Sequence, residues 1–105
     1  MEITGTNVNG QKKVYLKGRL DTTTAPKLER YMEDELLDCH ELVLDLRELE
    51  YISSAGLRVL LTLQKHMNRQ GTMELQNVNE VNMEVFEMTG FTDILTIRNG
   101  KPLSE

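Results

Sequence analysis

Tryptophan is absent from this chain, cysteine occurs once, proline and phenylalanine twice each, and tyrosine three times. Cationic charge is also in short supply, with 12 lysines and arginines against 17 acidic residues and a net charge of -5. Each shortage excludes something. The lone Cys39 has no partner for an internal disulfide, which fits a reducing compartment. An acidic chain lacks the basic surface that neutralises phosphates, so no nucleic-acid partner is expected. No apolar run approaches the length of about 18 residues that a membrane span needs, and the opening residues lack signal-peptide character. A cytoplasmic, soluble protein with no membrane partner is the expectation. At 105 residues the chain fits one domain, with no room for a second.

Catalytic machinery is missing as well. His40 and His66 are the only histidines; Cys39-His40 sits in the turn before the central strand, and no acidic or cysteine partners stand at metal-ligand spacing, so no metal is expected. The sequence around Ser54 is not a G-x-S-x-G nucleophile elbow, and no Walker A loop or G-x-G-x-x-G occurs. Glu48 and Glu50 read as a solvated loop, not as an acid/base pair. No catalytic residue, no cofactor and no enzymatic activity are expected.

What the chain does have is Leu42 to Leu63, LVLDLRELEYISSAGLRVLLTL, an apolar run that becomes an apolar stripe at helical spacing. LVLDL has the composition of a central parallel strand buried on both faces. Ser53 or Ser54 then serves as N-cap, since a short hydroxyl side chain accepts a hydrogen bond from the first turn. Leu57, Leu60, Leu61 and Met67, with Val59 and Leu63 beside them, form a face that must lie on a sheet. Ser54, Arg58, Thr62, Lys65 and Arg69 fall on the opposite, exposed face. The tandem hydroxyls either cap the helix only or form the functional site as well. Gly56 in the first turn costs about 1 kcal/mol relative to alanine, so close backbone approach is needed there, by a neighbouring strand or by a partner.

Around this centre the chain reads in order. Met1 to Val8 is a first strand, Asn9-Gly10 a tight turn, and Lys13 to Leu20 a return strand with Val14, Leu16, Gly18 and Leu20 on one face. Pro26 opens a helix over Ala25 to Leu37, with Ala25, Leu28, Met32 and Leu36 inward. After Gly71, Thr72 to Gln76 is a short strand. Val81, Val85 and Met88, flanked by Phe86, form another apolar stripe, that of a third helix that ends at Gly90. Ile94 to Ile97 is a last strand and residues 98–105 a loose polar tail. The order β-β-α-β-α-β-α-β predicts an α/β fold with a mixed sheet, its antiparallel pair at the N-terminal edge and helices mainly on one side.

The segment D-L-x-x-L-x-Y-I-S-S-A-G-L-R-V-L-L, Asp45 to Leu61, resembles the STAS-domain signature, in particular that of bacterial anti-sigma-factor antagonists. Gly18-Arg19-Leu20-Asp21, followed by Thr24-Ala25 and Lys27-Leu28, resembles the G-x-L-D segment of the same family. The resemblance implies a STAS-like mixed sheet and a domain that docks on an anti-sigma factor with serine kinase activity of the GHKL type. It implies phosphorylation at the start of the helix after the central strand, which falls by position on Ser54, with Ser53 as second candidate. A PP2C-type phosphatase is the implied partner for reversal. The implied docking surface joins Asp21, Thr22, Thr23 and Thr24 to Ser53, Ser54, Ala55, Gly56 and Arg58. Asp21 matches the family's acidic residue near the serine and Asp45 the one closing the central strand. Many phosphorylated members carry Asp-Ser-Ser/Thr-Gly, where this chain has Ser53-Ser54-Ala55-Gly56. A scaffold or ligand-sensing STAS module that is not phosphorylated is the alternative that the same resemblance allows.

Overall fold

The computed structural model describes residues 1–98, so the expected tail beyond Arg98 lies outside the described residues. Strand β1 (Glu2–Val8) turns back at Asn9 and Gly10, whose φ angles of 51° and 84° are those of a tight hairpin, into the antiparallel β2 (Gln11–Leu20). Helix α1 (Ala25–Tyr31) continues through a π-helical turn (Met32–Leu36), and the two together cover the predicted first helix. Then follow β3 (Glu41–Ile52), α2 (Ser54–Gln70), β4 (Thr72–Gln76), α3 (Glu80–Thr89), a 3-10 turn (Phe91–Asp93) and β5 (Ile97–Arg98).

The sheet order is β1-β2-β3-β4-β5, and every pairing after the first hairpin is parallel. Each crossover steps the same way across the sheet, so right-handed connections bring the three helices to one face. On that face Val14, Leu16, Leu20, Leu42, Leu44, Leu46 and Leu75 meet Leu28, Leu36, Leu57, Leu60 and Leu63 in one core. The opposite face is polar. There Lys13 pairs with Asp45 at 3.9 Å, and Arg98 with Glu74 at 3.4 Å.

The central strand is longer than LVLDL. Glu48 and Glu50 are exposed positions on β3, not a loop, because two bulges carry the strand past Leu46. Tyr15 lies opposite Asp45 but Lys17 opposite Glu48, and Gly18 opposite Leu49 but Arg19 opposite Tyr51, so β3 holds an extra residue at each break. The bulges turn Leu49 and Ile52 back to the core although the apolar spacing has changed from two to three. Gly18, at φ 107°, supplies the backbone conformation that β2 needs beside the second break.

Two further expectations are corrected. Of the Val81, Val85 and Met88 stripe only Val85 packs against the core: Asn82 and Phe86 face the sheet, both fully buried, while Val81 is 57% and Met88 85% exposed. The reason is polar. β4 ends its pairing with β3 at Asp45, and further along β3 the carbonyl of Leu49 accepts from Asn79 Nδ2 (3.0 Å) and Asn82 Nδ2 (2.8 Å), which sets the rotation of α3. The last strand begins only at Ile97; Ile94 belongs to the turn after Phe91–Asp93, where its N–H donates to Phe91 O.

Candidate functional site at the head of the central helix

β2 and β3 end side by side, with Leu20 in register with Ile52. The chain leaving β3 stays tied to β2, because the Ser53 N–H donates to Leu20 O at 2.9 Å. Ser53 is extended (φ −95°, ψ 177°); its hydroxyl accepts from the Gly56 N–H at 3.4 Å and its carbonyl from the Leu57 N–H at 2.9 Å. Ser53 is therefore the N-cap. Ser54 is the first residue of α2, exposed, and among the described residues its hydroxyl has no hydrogen-bond partner.

Gly56 is buried against β2. A Cβ there would stand 2.7 Å from Leu20 Cγ and 3.0 Å from Leu20 O, so the neighbouring strand accounts for the glycine and no partner is needed to explain it. Ala55 is half-buried between the exposed Ser54 and the buried Gly56.

The chain leaving β2 forms the second wall. Asp21 Oδ1 accepts from the N–H groups of Thr23 (3.0 Å) and Thr24 (3.2 Å) and from the Thr23 hydroxyl (2.8 Å), while Asp21 O accepts from the Ala25 N–H at 2.8 Å. Asp21 thereby closes the turn of Thr22 to Thr24 that leads into α1, whose N-cap is Thr24. The Thr23 hydroxyl above all, then the Thr24 and Thr23 N–H groups, hold the Asp21 carboxyl below its usual 3.8 against the opposing effect of burial. Thr24 is turned inward, with its hydroxyl donating to Arg19 O at 2.8 Å, whereas Thr22 and Thr23 are exposed. Arg58, one turn beyond Ser54, is exposed and has no ion pair among the described residues.

The structure thus brings Asp21–Thr24 and Ser53–Arg58 together through Leu20. Asp45 is not part of this site. It sits well inside β3, 6% exposed, where it accepts from the Arg47 N–H (3.0 Å) and Asn77 Nδ2 (3.0 Å). Sequence reasoning missed a pair on the rim: the Arg19 guanidinium lies 4.4 Å from the Tyr51 ring centre, and its Nε is 3.7 Å from Asp21 Oδ2. Both residues lie within the two quoted motifs, but only the bulged register makes them neighbours. His40 Nδ1 and His66 Nε2 each hydrogen-bond a backbone carbonyl, of Gln70 (3.0 Å) and Leu37 (3.2 Å), and burial pushes the Cys39 thiol up, toward its protonated form. Among the described residues no helix is long and apolar enough to cross a membrane.

The STAS domain model matches residues 3–101, and the chain belongs to the STAS domain family. The anti-sigma-B factor antagonist of Listeria monocytogenes is 32% identical over 88 residues, covering 82% of this chain and 77% of that one. The Bordetella bronchiseptica protein BtrV is 36% identical over 104 residues, 96% of this chain and 89% of its own. Among solved structures, SpoIIAA in its unphosphorylated form superposes with a TM-score of 0.72 at 13% identity, covering 95% of this chain and 90% of that one. An anti-sigma factor antagonist from Mycobacterium paratuberculosis reaches a TM-score of 0.82 at 20% identity over 91% of this chain and 83% of that one. These likenesses show the STAS fold shared with anti-sigma factor antagonists.

Proposed function

We propose that this domain is an anti-sigma-factor antagonist in a partner-switching pathway and not an enzyme. Unphosphorylated, it docks on a GHKL-type anti-sigma factor with kinase activity; a phosphate on Ser54 releases it, and a PP2C-type phosphatase restores it. One observation carries this reading. Two adjacent serines divide the work at the head of α2: Ser53 closes the helix, and the Ser54 hydroxyl stands exposed with no hydrogen-bond partner among the described residues. Relatives named anti-sigma factor antagonists, and a solved SpoIIAA in phosphorylated form, lend further support.

The physical switch is local charge. A phosphoserine carries about 1.5 to 2 negative charges at neutral pH. On the free domain that charge lies at a helix N-terminus, one turn from the exposed Arg58, where it is tolerated. In the complex it is enclosed beside the ionised Asp21, where repulsion and desolvation oppose binding. No refolding is required.

Incubation with the kinase-type partner and ATP, followed by intact-mass and fragment analysis, tests the assignment. Wild type and Ser53→Ala gain one phosphate, located at Ser54; Ser54→Ala gains none and still binds the partner. A phosphate on Ser53, or none on wild type, contradicts it.

A further inference from the structure

Helix α3 is apolar on two faces. Phe86 points into the core together with the buried Asn82, yet Val81, Val85 and Met88, at i, i+4 and i+7, form a second apolar stripe. Val85, half-buried, packs against the core along the inner edge of this stripe, and Val81 and Met88 are open at either end. Glu80, Glu84 and Glu87 run beside the stripe at the same helical spacing; all three are exposed, and none has an ion pair among the described residues. A helix stripe read as i, i+4, i+7 is the form in which one amphipathic helix anchors on another. The parallel row of carboxylates selects a cationic neighbour and opposes a like-charged one.

We infer that the outer face of α3 docks a basic amphipathic helix of a second protein, at a surface separate from the Ser54 site and independent of the partner-switching reading. The charge row decides against the simplest alternative. Two copies of this chain joined α3 to α3 would set glutamates against glutamates.

The probe is a synthetic helix with leucine at i, i+4 and i+7 flanked by lysine, compared with the same peptide carrying glutamate in place of lysine. Wild type binds the lysine peptide, with amide shifts mapping to Glu80–Thr89 and not to Ser53–Arg58, and rejects the glutamate peptide. Val81→Ser with Met88→Ser weakens binding about tenfold or more, since two exposed apolar anchors are lost. Glu84→Lys with Glu87→Lys weakens it to a similar degree and removes its salt dependence. The altered side chains are exposed, so unchanged melting temperatures confirm folding. Equal affinity for both peptides, or for both double variants and wild type, overturns the inference. So does concentration-dependent self-association that Met88→Ser abolishes, which gives the face to a second copy. A tenfold gain in peptide affinity on removing residues 99–105 likewise overturns it, by giving the face to the chain's own end.

Discussion

Gly56 and Asp21 carry the geometry at the scale of single residues. Replacing Gly56 by alanine gains about 1 kcal/mol of helix propensity but sets a methyl group 2.7 Å from Leu20 Cγ. Overpacking of that kind costs about 1–3 kcal/mol, so after the propensity gain Gly56→Ala is expected to lower stability in chemical denaturation by up to about 2 kcal/mol. A midpoint raised by the full propensity gain would show that Leu20 and α2 part without cost. Asp21 makes stability depend on acid. Its folded carboxyl titrates below 3.8, chiefly through the Thr23 hydroxyl, so its contribution is complete above that value and is lost as pH falls through the lower folded one. Asp21→Asn is therefore expected to be less stable than wild type at neutral pH, with the gap closing in acid below 3.8. A gap that widens on acidification would contradict this account.

Single elements show where sequence periodicity is sufficient and where it fails. Most of the inward face of α2 follows from spacing: Leu57, Leu60 and Leu63 are buried and Ser54, Arg58 and Thr62 exposed, but Leu61, expected inward, is only half-buried and Gln64 takes a buried place. Leu60→Ala is expected to cost about 2–5 kcal/mol through the cavity it leaves, whereas Met88→Ala, on the outer face of α3, should change stability by less than about 0.5 kcal/mol. A large loss at Met88 would restore the stripe to the core. On α3 the same periodicity misleads, because Asn79 and Asn82 rotate the helix to reach the Leu49 carbonyl, and hydropathy does not register a buried asparagine held by hydrogen bonds. On β3 the bulges break the period of two, so Arg47 to Tyr51 reads as a loop. The candidate site was legible in the two motifs around Asp21 and Ser54. The division of labour between Ser53 and Ser54 was not, since either hydroxyl suits a cap until the backbone angles are known. The exposed side of α2 carries its own test. If Arg58 holds a phosphate on Ser54 across one turn, phosphorylation raises the melting temperature more in wild type than in Arg58→Gln. Equal shifts in both would leave Arg58 a solvated charge.

For the whole molecule, the proposed docking surface lies where the neighbouring parallel strands β2 and β3 end. Leu20 and Ile52 fix the two segments against each other, so the proposed docking and release would need no movement of the core. In the proposed switch, charge at Ser54 alone controls partner binding. The most direct test is the affinity of the kinase-type anti-sigma factor for the unphosphorylated domain, for the same domain phosphorylated at Ser54, and for Ser54→Asp, measured by calorimetry with folding verified in each. Burying a phosphate against like charge is expected to weaken binding about a hundredfold or more, with Ser54→Asp weakened in the same direction and Ser54→Ala close to wild type. Equal affinity of the phosphorylated and unphosphorylated forms would contradict the account.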